Sequence, residues 1–208
     1  MLAAAVPAEP HQTCLELGAG VGTASLCLAS RTGCRVHGIE IDPALAALAT
    51  QNAALNGLGE RVCFECGNAL EPRSGTFDHV FCNPPFHGSG GQTSPNAQRA
   101  RALEDRGVLQ DWVRSGVERV ASKGSFTLII RADRLDEVLA ALPAAGVYML
   151  PLLPRAGEAP KRIIVQWREG AHTPPSRLSG IVLHRSDGRY TPEADAILRD
   201  AASLRIAP

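Results

Sequence analysis

Residues 13–30 read "TCLELGAGVGTASLCLAS", from Thr13 to Ser30. Thr13 to Leu17 reads as a buried strand that ends in glycines, and "TASLCLAS" resumes with helical spacing, Leu26 lying between turn neighbours and alanine supplying propensity. Gly18, Gly20 and Gly22 fill the turn between them. Only glycine permits so tight a turn with a ligand lying against the backbone.

Outward from this turn the same alternation continues. "CRVHGIEID" is a second strand ending in acids, and Pro43 opens a helix, "ALAALATQNAALN", at a position where its missing N–H costs nothing. Gly57 stops that helix; "ERVCFECG" and "FDHVFC" are a third and a fourth strand. Farther on, Val108, Leu109, Trp112, Val113, Val117 and Val120 form one broad helical stripe. "SFTLIIRA" is strand-like, Asp133 is a plausible cap, and "RLDEVLAAL" is a short helix. "GVYMLPLLP" and "KRIIVQWRE" are two more strands, joined by a short turn as an antiparallel edge hairpin. The tail has a strand, an Asp–Gly turn and a helix with Thr191 as N-cap and Pro192 as first residue. Such alternation, with Gly, Asp and Asn at strand ends, indicates one open α/β sheet. The chain has 208 residues and 45% hydrophobic content, enough for one substantial core, and no repeat or linker divides it, so residues 1–208 are read as one domain.

The formal charge is zero, but it is unevenly spread: residues 1–80 hold four Lys or Arg against eight Asp or Glu, and the remainder seventeen against thirteen. That asymmetry mildly favours a polyanion near the second half. Six cysteines lie largely in apolar segments and read as buried, reduced thiols of a cytoplasmic protein. Cys63 and Cys66 have no second CxxC and no suitably spaced histidine, so no metal site is expected. The opening "MLAAAVPAEP" lacks a basic start, and its apolar run is too short for a signal or a membrane span.

Glu40 ends the second strand, eighteen residues after Gly22, where an acid can accept both ribose hydroxyls of an adenosine. Glu16 lies one residue from the first strand's end. A carboxylate there is a poor neighbour for a pyrophosphate but a reasonable partner for the cationic end of S-adenosylmethionine. A dinucleotide and a purely structural turn are the alternatives. Asn68 can hydrogen-bond the adenine edge, or serve only the turn that asparagine favours. Asp42 is read as the cap of the Pro43 helix.

"NPPF", Asn83 to Phe86, follows the fourth strand on the edge where open α/β sheets carry their ligands. A plain turn needs only Asn–Pro. An exocyclic amine conjugated to a purine is a poor nucleophile, because its lone pair spreads into the ring. The Asn83 amide oxygen and the Pro84 carbonyl can each accept one amine hydrogen, favouring a pyramidal nitrogen. Pro84 and Pro85 fix that carbonyl before substrate arrives. Phe86 offers a stacking face, worth ~1–3 kcal/mol in nucleic-acid systems. A base must leave its stack to reach such a pocket, most cheaply from a single-stranded loop. His87, next in the chain, can touch substrate, and Arg99 and Arg101 can meet phosphates. Ordinary solvated surface is the competing reading for both arginines.

"LELGAGVG", "GIEID" and "NPPF" together resemble the class I S-adenosylmethionine-dependent methyltransferases that act on planar amines. "SPNAQRARAL" and the tail "LHRSDGRYTPEADAILRD" resemble the bacterial tRNA1(Val) adenine-37 N6-methyltransferase family, as does "LLAAAVPA", present here as "MLAAAVPA". Family members usually carry a further stretch ahead of that segment, so the resemblance implies a shortened N-terminus. It also implies a Rossmann-like α/β domain with a seven-stranded, mostly parallel sheet and one antiparallel strand, and methylation of an adenine N6 in tRNA. By position, Gly18, Gly20 and Glu40 resemble cofactor contacts, Asn83 the amine-orienting residue, Pro84 the carbonyl donor and Phe86 the stacking aromatic. Protein glutamine N5-methylation can use the same Asn and Pro carbonyl, and a non-catalytic RNA-binding or scaffold role is the alternative from another class.

Overall fold

The computed structural model of the protein describes residues 1–72, 74–85 and 108–207. Its helices are α1 (Leu2–Ala5), α2 (Thr23–Thr32), α3 (Pro43–Leu55), α4 (Val108–Glu118), α5 (Leu135–Ala141) and α6 (Pro192–Arg199). Its strands are β1 (Thr13–Leu17), β2 (Arg35–Glu40), β3 (Val62–Cys66), β4 (Phe77–Cys82), β5 (Val120–Arg131), β6 (Val147–Leu153), β7 (Arg162–Arg168), β8 (Ser176–Arg177) and β9 (Ile181–Val182).

All nine strands join one sheet in the order β3-β2-β1-β4-β5-β7-β6-β8, with β9 also beside β6. Neighbours from β3 to β5 pair in parallel, and β7 runs antiparallel to both β5 and β6. The seven longer strands thus have the expected plan: a mostly parallel Rossmann-like sheet with one reversed strand. Two details differ. The antiparallel β6–β7 hairpin forms as expected, but with β7 as its inner strand, between β5 and β6. The two-residue β8 and β9 pair with β6, adding main-chain partners that no apolar pattern advertises.

Alternation along the strands divides the core into two layers. Cys14, Phe81 and Ile129 pack with α1 and α2 on one face; Leu15, Leu17, Val80 and Leu128 pack with α4 and α5 on the other. Asp42 caps α3 as expected, its Oδ1 accepting from the Ala44 and Leu45 amides, and Thr191 caps α6 by accepting from Ala194 N. Asp133 does not cap α5. It lies in a short 3-10 turn and pairs with Arg131, a nearer cationic partner. The helical stripe ends earlier than its spacing suggests, because Val120 already belongs to β5. There the register slips: Phe77 faces Val120, whereas His79 faces Ser125. Gly124 makes the slip possible, since a Cβ at that position would lie 2.3 Å from the Asp78 carbonyl oxygen. The cysteines divide evenly. Cys14, Cys34 and Cys82 are buried, while Cys27, Cys63 and Cys66 are exposed. Cys63 and Cys66 lie on β3, which is an edge strand among the described residues.

Candidate active site

The glycine turn sits at the carboxyl end of β1, held by Gly18 N and Ala19 N, which both donate to the Ile39 carbonyl at 2.9 Å. Its three glycines all have positive φ: 71° at Gly18, 55° at Gly20 and 83° at Gly22. Each has a different neighbour. A Cβ on Gly18 would lie 2.7 Å from the Trp112 ring, and one on Gly22 would lie 2.5 Å from the Phe64 ring. A Cβ on Gly20 would meet nothing within 4 Å among the described residues. The outer glycines therefore allow aromatic rings to press against the backbone, and the middle one leaves the backbone bare to a ligand.

Glu40, at the end of β2, accepts from Gly20 N at 2.7 Å through Oε2 and from Asp42 N at 3.0 Å through Oε1. One carboxyl thus pins the turn, and each oxygen retains a second lone pair for a hydroxyl. Ile41 follows, 64% exposed, and sets an apolar surface beside this acid at the ligand edge. Asn68 lies on the next loop, which is tied to β2 by Gly67 N donating to the Glu40 carbonyl. Its Oδ1 accepts from Leu70 N at 3.0 Å, so the turn role is realised and the side-chain NH₂ keeps its donor capacity.

Glu16, read from the sequence as a partner for the cationic end of the cofactor, is held from within the protein. It is 3% exposed and faces the first turn of α2, where Oε2 accepts from Ser25 N and Ser25 Oγ. Burial pushes its carboxyl up to about 8, against the lowering effect of those two hydrogen bonds; nearby Glu40 adds to the rise. Burial thus favours the protonated form of Glu16, while its hydrogen bonds to Ser25 favour the charged one.

Cys82 pairs with Leu17, so Asn83 begins one residue past β4 at the level where Gly18 begins one residue past β1. Asn83 is exposed, Pro84 is buried and Pro85 is half-buried. The amide is therefore offered outward while the first proline is clamped in the protein. Phe86, His87, Arg99 and Arg101 lie outside the described residues.

Residues 1–134 match the family model of the methyltransferase small domain. The chain is 32% identical over 198 residues to a tRNA1(Val) (adenine(37)-N6)-methyltransferase of Porphyromonas gingivalis, covering 88% of this chain and 76% of the relative. The chain belongs to the methyltransferase small-domain family. A relative of the same name from Aeromonas hydrophila is 28% identical, over 92% of this chain and 82% of its own. A crystal structure of a predicted O-methyltransferase from Agrobacterium tumefaciens superposes with a TM-score of 0.82 at 21% identity, covering 100% of this chain and 98% of that one. At that identity the likeness establishes a shared fold.

As a member of this family, the protein is an S-adenosylmethionine-dependent methyltransferase, and its residues fit that donor. The bare backbone at Gly20 can lie against the cofactor, the Glu40 oxygens suit ribose hydroxyls, and Ile41 offers a flat base an apolar contact. Sequence reading missed Trp112 and Ile41. Trp112 was visible only as one residue of a core stripe, although a large aromatic on the helix behind a glycine turn hints at contact. Ile41 stood unmarked between two acids.

Proposed function

We propose that this methyltransferase transfers a methyl group to the exocyclic N6 of an adenine in tRNA. The reading rests on one observation: Asn83 and Pro84 stand at the carboxyl end of β4, level with the glycine turn, in a chain whose curated relatives are named for adenine N6 methylation. When bound, S-adenosylmethionine supplies a methyl group on a positively charged sulfur that departs as a neutral thioether. Gly18, Gly20 and Gly22 shape its cradle, Glu40 binds the ribose, and the Asn68 NH₂ donates to the adenine ring. Glu16, through Ser25, holds the first turn of α2 against the cradle.

The Asn83 amide oxygen accepts one hydrogen of the target amine and the Pro84 carbonyl accepts the other. This pulls the nitrogen toward a pyramidal shape and keeps its lone pair free for attack. Pro85 stiffens the segment, so the acceptors are placed before the base arrives. The chain needs no strong base, because an alkylated amine is acidic enough to lose its extra proton to water. Phe86 stacks on the base, and His87, Arg99 and Arg101 contact the surrounding RNA.

None of the described helices is long and apolar enough to cross a membrane. A tRNA substrate places the enzyme in the cytoplasm. Incubation with radiolabelled S-adenosylmethionine and total tRNA, followed by nucleoside analysis, tests the reading. N6-methyladenosine is the expected product; label on protein glutamine, or at another nucleoside, would refute it.

A further inference from the structure

At the sheet edge opposite the glycine turn, where β1, β4 and β5 begin and β7 ends, the molecule has a polar cavity of about 470 Å³. It lies on the α1 and α2 side of the sheet. Arg31, Lys123, Arg168 and Arg205 line it, and Glu9 is the acid among the lining residues. Asp78 and Glu169 flank it but are engaged elsewhere. Asp78 accepts from Thr13 N and Oγ1, and Glu169 from the Lys123 main-chain amide.

Three side-chain atoms on the lining residues are buried with no hydrogen-bond partner among the described residues: Arg31 Nε, Arg168 Nε and Gln166 Oε1. Folded proteins rarely leave such groups unsatisfied unless something else fills the site. Gln166 cannot turn to relieve its oxygen, because its NH₂ donates to the Ala5 carbonyl and to Thr127 Oγ1, both at 3.0 Å. Arg31 is likewise held, its Nη2 donating to the Ala3 and Val6 carbonyls.

His79 adds no charge. Its Nε2 donates to Gln12 Oε1, and its Nδ1 accepts from Ser125 Oγ, both at 2.9 Å. Burial, partly opposed by Asp78 and helped by Arg168, lowers its pKa to about 4. The described lining therefore sets four cations against one acid.

We infer that this cavity binds the phosphoryl group of a small phosphorylated molecule. A phosphomonoester carries nearly two negative charges at neutral pH and has three acceptor oxygens, which match several converging cations better than a single carboxylate does. The volume exceeds what a bare phosphate needs and lies in the range of small-molecule sites, about 300–1,000 Å³. Asn83 lies four positions beyond His79, roughly 13 Å away at strand rise. The cavity is thus a second site, independent of the methyl-transfer reading.

Titration of the full chain with inorganic phosphate and with glycerol 3-phosphate, at constant ionic strength in potassium chloride, tests the inference by calorimetry and thermal melting. Saturable binding that raises Tm is expected, with at least tenfold weaker binding in Lys123→Gln and in Arg168→Gln. Lys123 makes no side-chain hydrogen bond among the described residues, so that variant remains informative should Arg168→Gln fold poorly. Three results would overturn the inference: the same Tm rise with matched chloride, undiminished binding in both folded variants, or displacement of phosphate by equimolar tRNA. The last would identify an RNA backbone as the source of the phosphoryl group.

Discussion

Asn83 and Pro84 illustrate how a short motif divides labour at the residue scale. Asn83 is exposed at the carboxyl end of β4, while the proline after it is buried. Asn83→Ala should lower kcat by roughly 10²–10³ or more, the range for losing one preorganised polar group. Cofactor affinity should change by less than about threefold. Single-turnover kinetics and equilibrium dialysis check the two halves, and equal loss of both would make Asn83 a structural residue. "NPPF" was legible in sequence because proline cannot continue an inner strand. The burial of Pro84 was not, since it depends on what packs behind β4.

The glycine turn makes its prediction at the scale of the element. Gly18→Ala and Gly20→Ala both place an alanine at positive φ, costing about 1–2 kcal/mol each. Gly18→Ala also drives a methyl to 2.7 Å from the Trp112 ring, whereas Gly20→Ala meets no atom within 4 Å among the described residues. Gly18→Ala should therefore melt several degrees lower than Gly20→Ala. Gly20→Ala should fold and lose cofactor binding, because its methyl occupies the bare face. Thermal melting with cofactor titration separates the effects; equal melting temperatures would show that Trp112 simply moves aside. Spacing alone made all three glycines look equivalent. Packing against α4 and β3 distinguishes them.

Across the whole molecule, two buried titratable groups bias stability in opposite directions with pH. His79, lowered to about 4, binds its proton in the unfolded chain first, so its contribution is present above its ordinary value near 6.5 and is lost as pH falls through 4. Glu16, raised to about 8, does the reverse: its contribution is present below the ordinary carboxyl value near 4.5 and is lost as pH rises through 8. Relative to Glu16→Gln, which retains an acceptor for Ser25, the native protein should lose about 1 kcal/mol per pH unit between roughly pH 5 and 8. That corresponds to about 2–4 °C in Tm for a chain of this size. Parallel melting curves over this window would mean that Glu16 stays ionised.

The sequence by itself determined the order of strands and helices, the ligand edge of the sheet and the "NPPF" elbow, because each depends on local rules of φ, missing N–H groups and apolar period. Tertiary structure alone decided that Glu16 faces α2, that β7 slips between β5 and β6, and that Trp112 rests on Gly18. It also gathered Arg31, Lys123, Arg168 and Arg205 from distant parts of the chain around one cavity. Long-range contact and burial set charge state and partnership, and these arise only when segments far apart in sequence are folded against one another.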